Sequence, residues 1–82
     1  MDVYRIVKQL LKESGGKMSD LQGALGGITL QSLNASLHGN MSLERFEKIV
    51  KRCGYVLMIG KVEEGRAVQI RTLEQIRKEW EK

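Results

Sequence analysis

From residue 21 to residue 43 the chain carries no Asp, Glu, Lys or Arg. Such a stretch ordinarily signals burial, yet this one is rich in Gly, Ser, Asn, Gln and Thr, polar without being ionic. The fold must therefore give an uncharged, hydrogen-bonding segment a use at a surface. Charge elsewhere is uneven: residues 1–20 sum to +1, residues 44–61 to +3 and residues 62–82 to 0, so the formal excess of +4 brackets the neutral segment. Cations flanking a neutral surface fit a polyanionic partner.

Length and composition narrow the field. At 82 residues the ceiling is one domain. An apolar content of 41% supports a thin core rather than disorder. A single Cys and a single His exclude a disulfide framework and a structural zinc site. The parts for acid–base, nucleophilic or metal catalysis are missing, and there is no Gly-Lys-Ser/Thr phosphate loop. The expectation is no enzyme, no cofactor, no metal and no small-molecule substrate. No apolar run approaches the roughly 18 residues needed to cross a bilayer, and no leader layout opens the chain. A reduced, soluble, cytoplasmic domain that does not engage a membrane is expected.

Periodicity then assigns the elements. Val3, Ile6, Val7, Leu10 and Leu11 recur at the helical spacing over residues 2–13, and Gly15-Gly16 closes that helix. Ser19 is the candidate N-cap of a short second helix through Leu21, Ala24 and Leu25, broken by Gly26-Gly27. Residues 28–37 read as a third helix with Leu30, Leu33 and Leu37 on its packed side. Ser42 caps a fourth, whose stripe is Leu43, Phe46, Ile49, Val50 and Cys53, with Gly54 as the stop. Glu44 and Glu47 are spaced to pair with Lys48 and Lys51. Residues 55–59 are rich in β-formers and pair with residues 67–71 across a loop containing Glu63-Glu64-Gly65. Thr72 and Gln75 form a capping box for a last helix with Leu73, Ile76 and Trp80 inward. The expected fold is mainly α (α+β): a helix-turn-helix bundle of about four helices over residues 1–54, then a β-hairpin and a C-terminal helix over residues 55–82, in one compact domain.

Two short helices around a Gly-containing turn, the second neutral and polar on its outer face, suggest a helix-turn-helix. Its second helix must enter a major groove with short side chains that hydrogen-bond base edges. At 100° per residue, Gln31, Ser32 and Ala35 lie opposite the leucines, with Thr29, Asn34 and Ser36 on the flanks. Gln pairs bidentately with adenine, Ser and Thr bond several bases, and an Ala methyl meets a thymine methyl. Candidate base contacts are Thr29, Gln31, Ser32, Asn34 and Ala35. Candidate phosphate contacts are Lys17 and Ser19 at the start of the second helix, together with Ser36, His38, Arg45 and Lys48. For each, the plain alternative is a solvated helix face.

Leu25-Gly26 at the turn, Ile28 and Leu33 as packing positions, Gly39 at the end of the reading helix, and a fourth helix patterned Ser42-Leu43, Phe46, Ile49-Val50, Gly54-Tyr55 carry a resemblance. Over residues 1–59 the chain resembles the lambda-repressor/Cro-like helix-turn-helix domains of phages and mobile elements. The resemblance implies a sequence-specific regulator of transcription that binds double-stranded DNA as a homodimer. Two features depart from it: the double glycine blurs the register by one residue, and the reading helix lacks Arg or Lys, which favours A·T-rich contacts. Residues 55–59 are apolar on both faces, so either the last helix or a second copy must cover one of them. Tyr55, Leu57, Ile59, Val68, Ile70 and Trp80 are the candidate dimer contacts, against a monomeric wing packed on its own helices. A different class of function stays open: a small protein-binding inhibitor or adaptor that reuses the same helical fold.

Overall fold

The computed structural model describes residues 2–80; Met1 and residues 81–82, at the ends of the two expected parts, lie outside the described residues. The order is α1 (Val3–Ser14), α2 (Met18–Ala24), α3 (Leu30–His38), α4 (Leu43–Arg52), β1 (Met58–Glu63), β2 (Arg66–Thr72) and α5 (Leu73–Trp80). Among the described residues, five helices and one antiparallel two-stranded sheet make a mixed α+β fold. Among the described residues no helix is long and apolar enough to cross a membrane.

The core belongs to α1–α4. Val7 and Leu11 of α1, Leu21 of α2, Leu33 and Leu37 of α3, Phe46, Ile49 and Val50 of α4, and Cys53 just beyond it are buried in one cluster. Cys53 is a free, buried cysteine of this cluster, and burial holds its thiol above the ordinary range, outweighing the opposite pull of Arg52.

Capping explains where the helices begin. Asp2, Thr29 and Ser42 each accept a hydrogen bond from the backbone N–H three residues on, and so satisfy an otherwise orphaned donor. The second helix departs from expectation. Ser19 lies inside it, and the N-cap is Lys17, whose backbone N–H donates to Asp20 Oδ2 at 3.0 Å. Asp20 also receives Arg52 at 3.3 Å and thereby fastens α2 to α4.

Two apolar residues of the bundle expected inside are outside. Leu30 is 48% exposed and Leu43 58% exposed. Both are the first residue of their helices, and because the Cα–Cβ bond leans toward the helix N-terminus, each side chain overhangs the end of the packed stripe.

Beyond Cys53 the chain changes character: of the described residues there, only Leu73 is buried. The radius of gyration is 14.3 Å, against about 12 Å for a spherical domain of this length. The excess is the hairpin and α5, which stand off the bundle. β1 and β2 join through Glu64-Gly65, both at positive φ (50° and 75°), the pattern of a type I′ hairpin turn. This tight turn draws the strands right up to it, so β1 covers Met58–Glu63 rather than residues 55–59. Residues 55–57 instead lead away from α4: Tyr55 N–H donates to the Val50 carbonyl at 2.9 Å, and Leu57 packs on the core.

α5 is tied back by charge. Thr72 and Gln75 form the expected reciprocal capping box. Glu47, expected to pair with Lys51 on the surface, is only 7% exposed and accepts from Arg77 of α5 at 2.9 Å, whereas Glu44 does pair with Lys48 at 3.7 Å. Trp80, expected inward, is 80% exposed, because α5 has little beside β2 to lie against and its end runs past it. Arg77→Ala is expected to destabilise the fold by about 1–2 kcal/mol in urea unfolding, a figure lowered because Arg77 is half exposed. Glu47→Gln is expected to cost less, since it removes the buried charge rather than stranding it; the reverse order would show that the pair does not hold α5.

Candidate nucleic-acid interface

The candidate reading surface is built at the turn between α2 and α3. Gly27 N–H donates to the Gln22 carbonyl at 2.8 Å and Gly26 N–H to the Gly23 carbonyl at 3.2 Å, a paired closure of a helix C-terminus that needs left-handed backbone. Gly26 and Gly27 supply it with φ of 85° and 81°. Gln22 then reaches across, its Nε2 donating to the Ile28 carbonyl at 3.0 Å. The double glycine is thus accommodated in the turn, and the register it blurred resolves with Thr29 as the cap and Leu30 as the first residue of α3.

Leu33 and Leu37 hold α3 on the bundle. The opposite side presents Gln31, Ser32, Asn34, Ala35 and His38, all exposed. They are not equivalent. Thr29 Oγ1 accepts from Ser32 N–H at 3.1 Å and donates to Ser32 Oγ at 3.0 Å, so Thr29 is committed to the cap while Ser32 keeps its hydroxyl proton free. Among the described residues the side chains of Gln31 and Asn34 make no hydrogen bond to the protein. A solvated amide has nothing to gain from order, but beside a base edge it offers a donor and an acceptor in one plane. Leu30, overlooked in the sequence because it completes the leucine stripe, presents an apolar side chain on the first turn of α3, suited to a thymine methyl.

Polar and basic groups surround this face. Arg45 Nη1 donates to Ser36 Oγ at 3.3 Å, which places a guanidinium beside α3. Lys17 and Ser19 sit exposed at the start of α2. His38, the last residue of α3, stacks on Tyr4 of α1, ring centroids 4.3 Å apart. Lys48 is held by Glu44.

The candidate dimer residues divide. Tyr55 hydroxyl donates to Glu13 Oε1 at 3.2 Å and so lies against α1; Leu57 is partly buried on the core. In the hairpin, Met58 faces Thr72, Ile59 faces Arg71, Lys61 faces Val68 and Val62 faces Ala67. An extra residue on β2 opposite Gly60 shifts the register between these pairs, with Gln69 at φ 52°. A Cβ at Gly60 would stand 3.2 Å from both Ala67 and Ile70, so a larger residue would crowd the point where the bulge closes over β1. Alternation places Met58, Val62, Ala67 and Ile70 on one uncharged face. Ile59 and Val68 share the other face with Lys61, Glu63, Arg66 and Arg71, where Lys61 pairs with Glu63 at 3.2 Å and Arg71 with Glu79 of α5.

Among the described residues no group of three or more His, Cys, Asp or Glu is placed to hold a metal ion. Comparison with protein-family models, with curated proteins and with solved structures finds no match.

Proposed function

We propose that the chain is a sequence-specific, double-stranded-DNA-binding regulator of transcription, a repressor that acts through a helix-turn-helix formed by α2 and α3 and binds a pseudo-palindromic operator as a homodimer. The observation that carries this reading is the outer face of α3. It combines free amides at Gln31 and Asn34, a free hydroxyl proton at Ser32 and the Ala35 methyl, with no charge on the helix and cations at its borders. Gln31, Ser32, Asn34 and Ala35 read bases, while Thr29 shapes the cap. Lys17, Ser19, Ser36, His38, Arg45 and Lys48 are the candidate phosphate contacts, with Lys17 and Arg45 best supported by their positions.

A single module reads few base pairs. Two copies on a two-fold axis set their reading helices about 34 Å apart, one turn of duplex; principal extents of 40 × 30 × 23 Å suit that spacing. The uncharged strand face of Met58, Val62 and Ile70 supports the pairing surface, since monomers rarely leave such side chains uncovered together, and Trp80 is a further exposed apolar side chain. Selection from a randomised duplex library tests the reading: a palindromic consensus is expected, and no enrichment would reject it. Against the selected site, Gln31→Ala is expected to weaken binding by about 1–3 kcal/mol and relax preference at one base pair. Equal affinity of that variant and the parent for every base at that position would remove Gln31 from the reading set. The apolar strand face also suits a protein-binding adaptor, and that reading gains if the library yields nothing while the chain still self-associates.

A further inference from the structure

The two flanks of α1 are chemically opposite. Val7 and Leu11 face the core. On one side of them Ile6 and Leu10 pack against the bundle and Glu13 accepts from Tyr55, toward the chain that leads to the hairpin. On the other side, at helical spacing, stand Tyr4, Lys8 and Lys12, with Arg5 next to them. This second flank lines an open groove of about 680 Å³ that also includes Met18, the first residue of α2. Tyr4, at one end of this lining, stacks on His38, the last residue of α3. The groove therefore lies between α1 and the start of α2, and Tyr4 links it to the end of α3.

Its charge is unspent. Arg5 is paired with Asp2 at 3.2 Å. Among the described residues, Lys8, Lys12 and the adjoining Lys17 have no carboxylate within 4 Å. Lys8 Nζ rests 5.7 Å from the Tyr4 ring centroid, which orients the ammonium without neutralising it. Lys8 and Lys12 are one turn apart, about 6 Å along the axis. Mutually repelling cations in a row, kept from the acids of the same helix, suit a partner that is itself a row of anions.

We infer that the Tyr4–Lys8–Lys12 flank of α1 binds the phosphate backbone of the duplex, extending the footprint beyond the base pairs faced by α3. This rests on the DNA-binding reading above. None of these residues was among the sequence-derived phosphate contacts, because in the sequence they are the solvated side of an amphipathic helix.

The test is the salt dependence of binding to a long duplex of mixed sequence, followed by fluorescence anisotropy with the full chain. Each phosphate neutralised contributes about −0.9 to the log–log slope. Lys8→Gln/Lys12→Gln is expected to make the slope shallower by about 1–2, whereas Lys8→Arg/Lys12→Arg keeps the parental slope. Arg66→Gln/Lys78→Gln, which removes the same charge from the hairpin and α5, is expected to leave it unchanged. A parental slope in the Lys8→Gln/Lys12→Gln variant overturns the inference while DNA binding stands. Equal loss in the Arg66→Gln/Lys78→Gln pair assigns the effect to net charge and also overturns it, as does failure of the arginine pair to keep the slope. If the parent binds no duplex at any salt, the DNA-binding reading falls and this inference falls with it.

Discussion

Replacing Leu33 by alanine is expected to cost about 2–5 kcal/mol of stability, the range for emptying a leucine-sized volume from a packed core. Leu33 has no exposed surface and lies in the buried cluster to which all four helices of the bundle contribute. A domain of 82 residues has a total stability of about 4–12 kcal/mol, so a large fraction of it hangs on this one side chain. At about 4–8 °C per kcal/mol for a domain of this size, the midpoint of thermal unfolding should fall by about 8 °C or more. The effect should reach function as well. Leu33 and Leu37 are the buried anchors of α3, so loosening one frees the helix that presents Gln31 and Asn34. Thermal melts followed by circular dichroism check the prediction. A midpoint within a degree or two of the parent would mean that α3 is not packed as described.

The second large effect concerns association. Val62→Lys/Ile70→Lys is expected to convert a dimer to monomers while leaving the monomer folded. Val62 is 75% exposed and Ile70 about half exposed, so neither substitution opens a cavity. Across a two-fold contact each change occurs twice, and a buried aliphatic side chain contributes about 1.5–3 kcal/mol when fully covered. Even with partial coverage, a loss of at least about 3 kcal/mol follows, or roughly 100-fold in the association constant. Lysine on an exposed strand is also a common natural defence against pairing with other chains. Sedimentation velocity across a concentration series reads the outcome directly, and operator affinity should fall with it. A variant that stays dimeric would move the contact off this strand face.

How much of this was legible in the chain depends on the range of the forces involved. The helices were legible because their causes are local. The period of Val3, Ile6, Val7, Leu10 and Leu11 specifies a face, and Ser42 and Thr72 cap within one turn, whereas the caps at Asp2, Lys17 and Thr29 emerge only in the fold. The candidate reading set was legible for the same reason, since Gln31, Asn34 and Ala35 lie opposite Leu33 on any helix. Leu30, Leu43 and Trp80 were misplaced because periodicity names a side of a helix and says nothing of how far the neighbouring element extends along it. Strand parity was misjudged through one residue: the bulge opposite Gly60 separates Ile59 and Val68 from Ile70, which simple alternation had grouped together.

The sequence by itself determined the helices, the hairpin, the caps at Ser42 and Thr72, and the neutral segment with its basic borders, all of which follow from interactions within a few residues. Tertiary structure alone decided the pairing of Glu47 with Arg77 and the uncharged strand face. It also set Tyr4 against His38 at the end of α3 and Lys8 and Lys12 beside the start of α2. Each of these depends on which surfaces the fold brings within a few ångströms, and burial and charge pairing are decided only there.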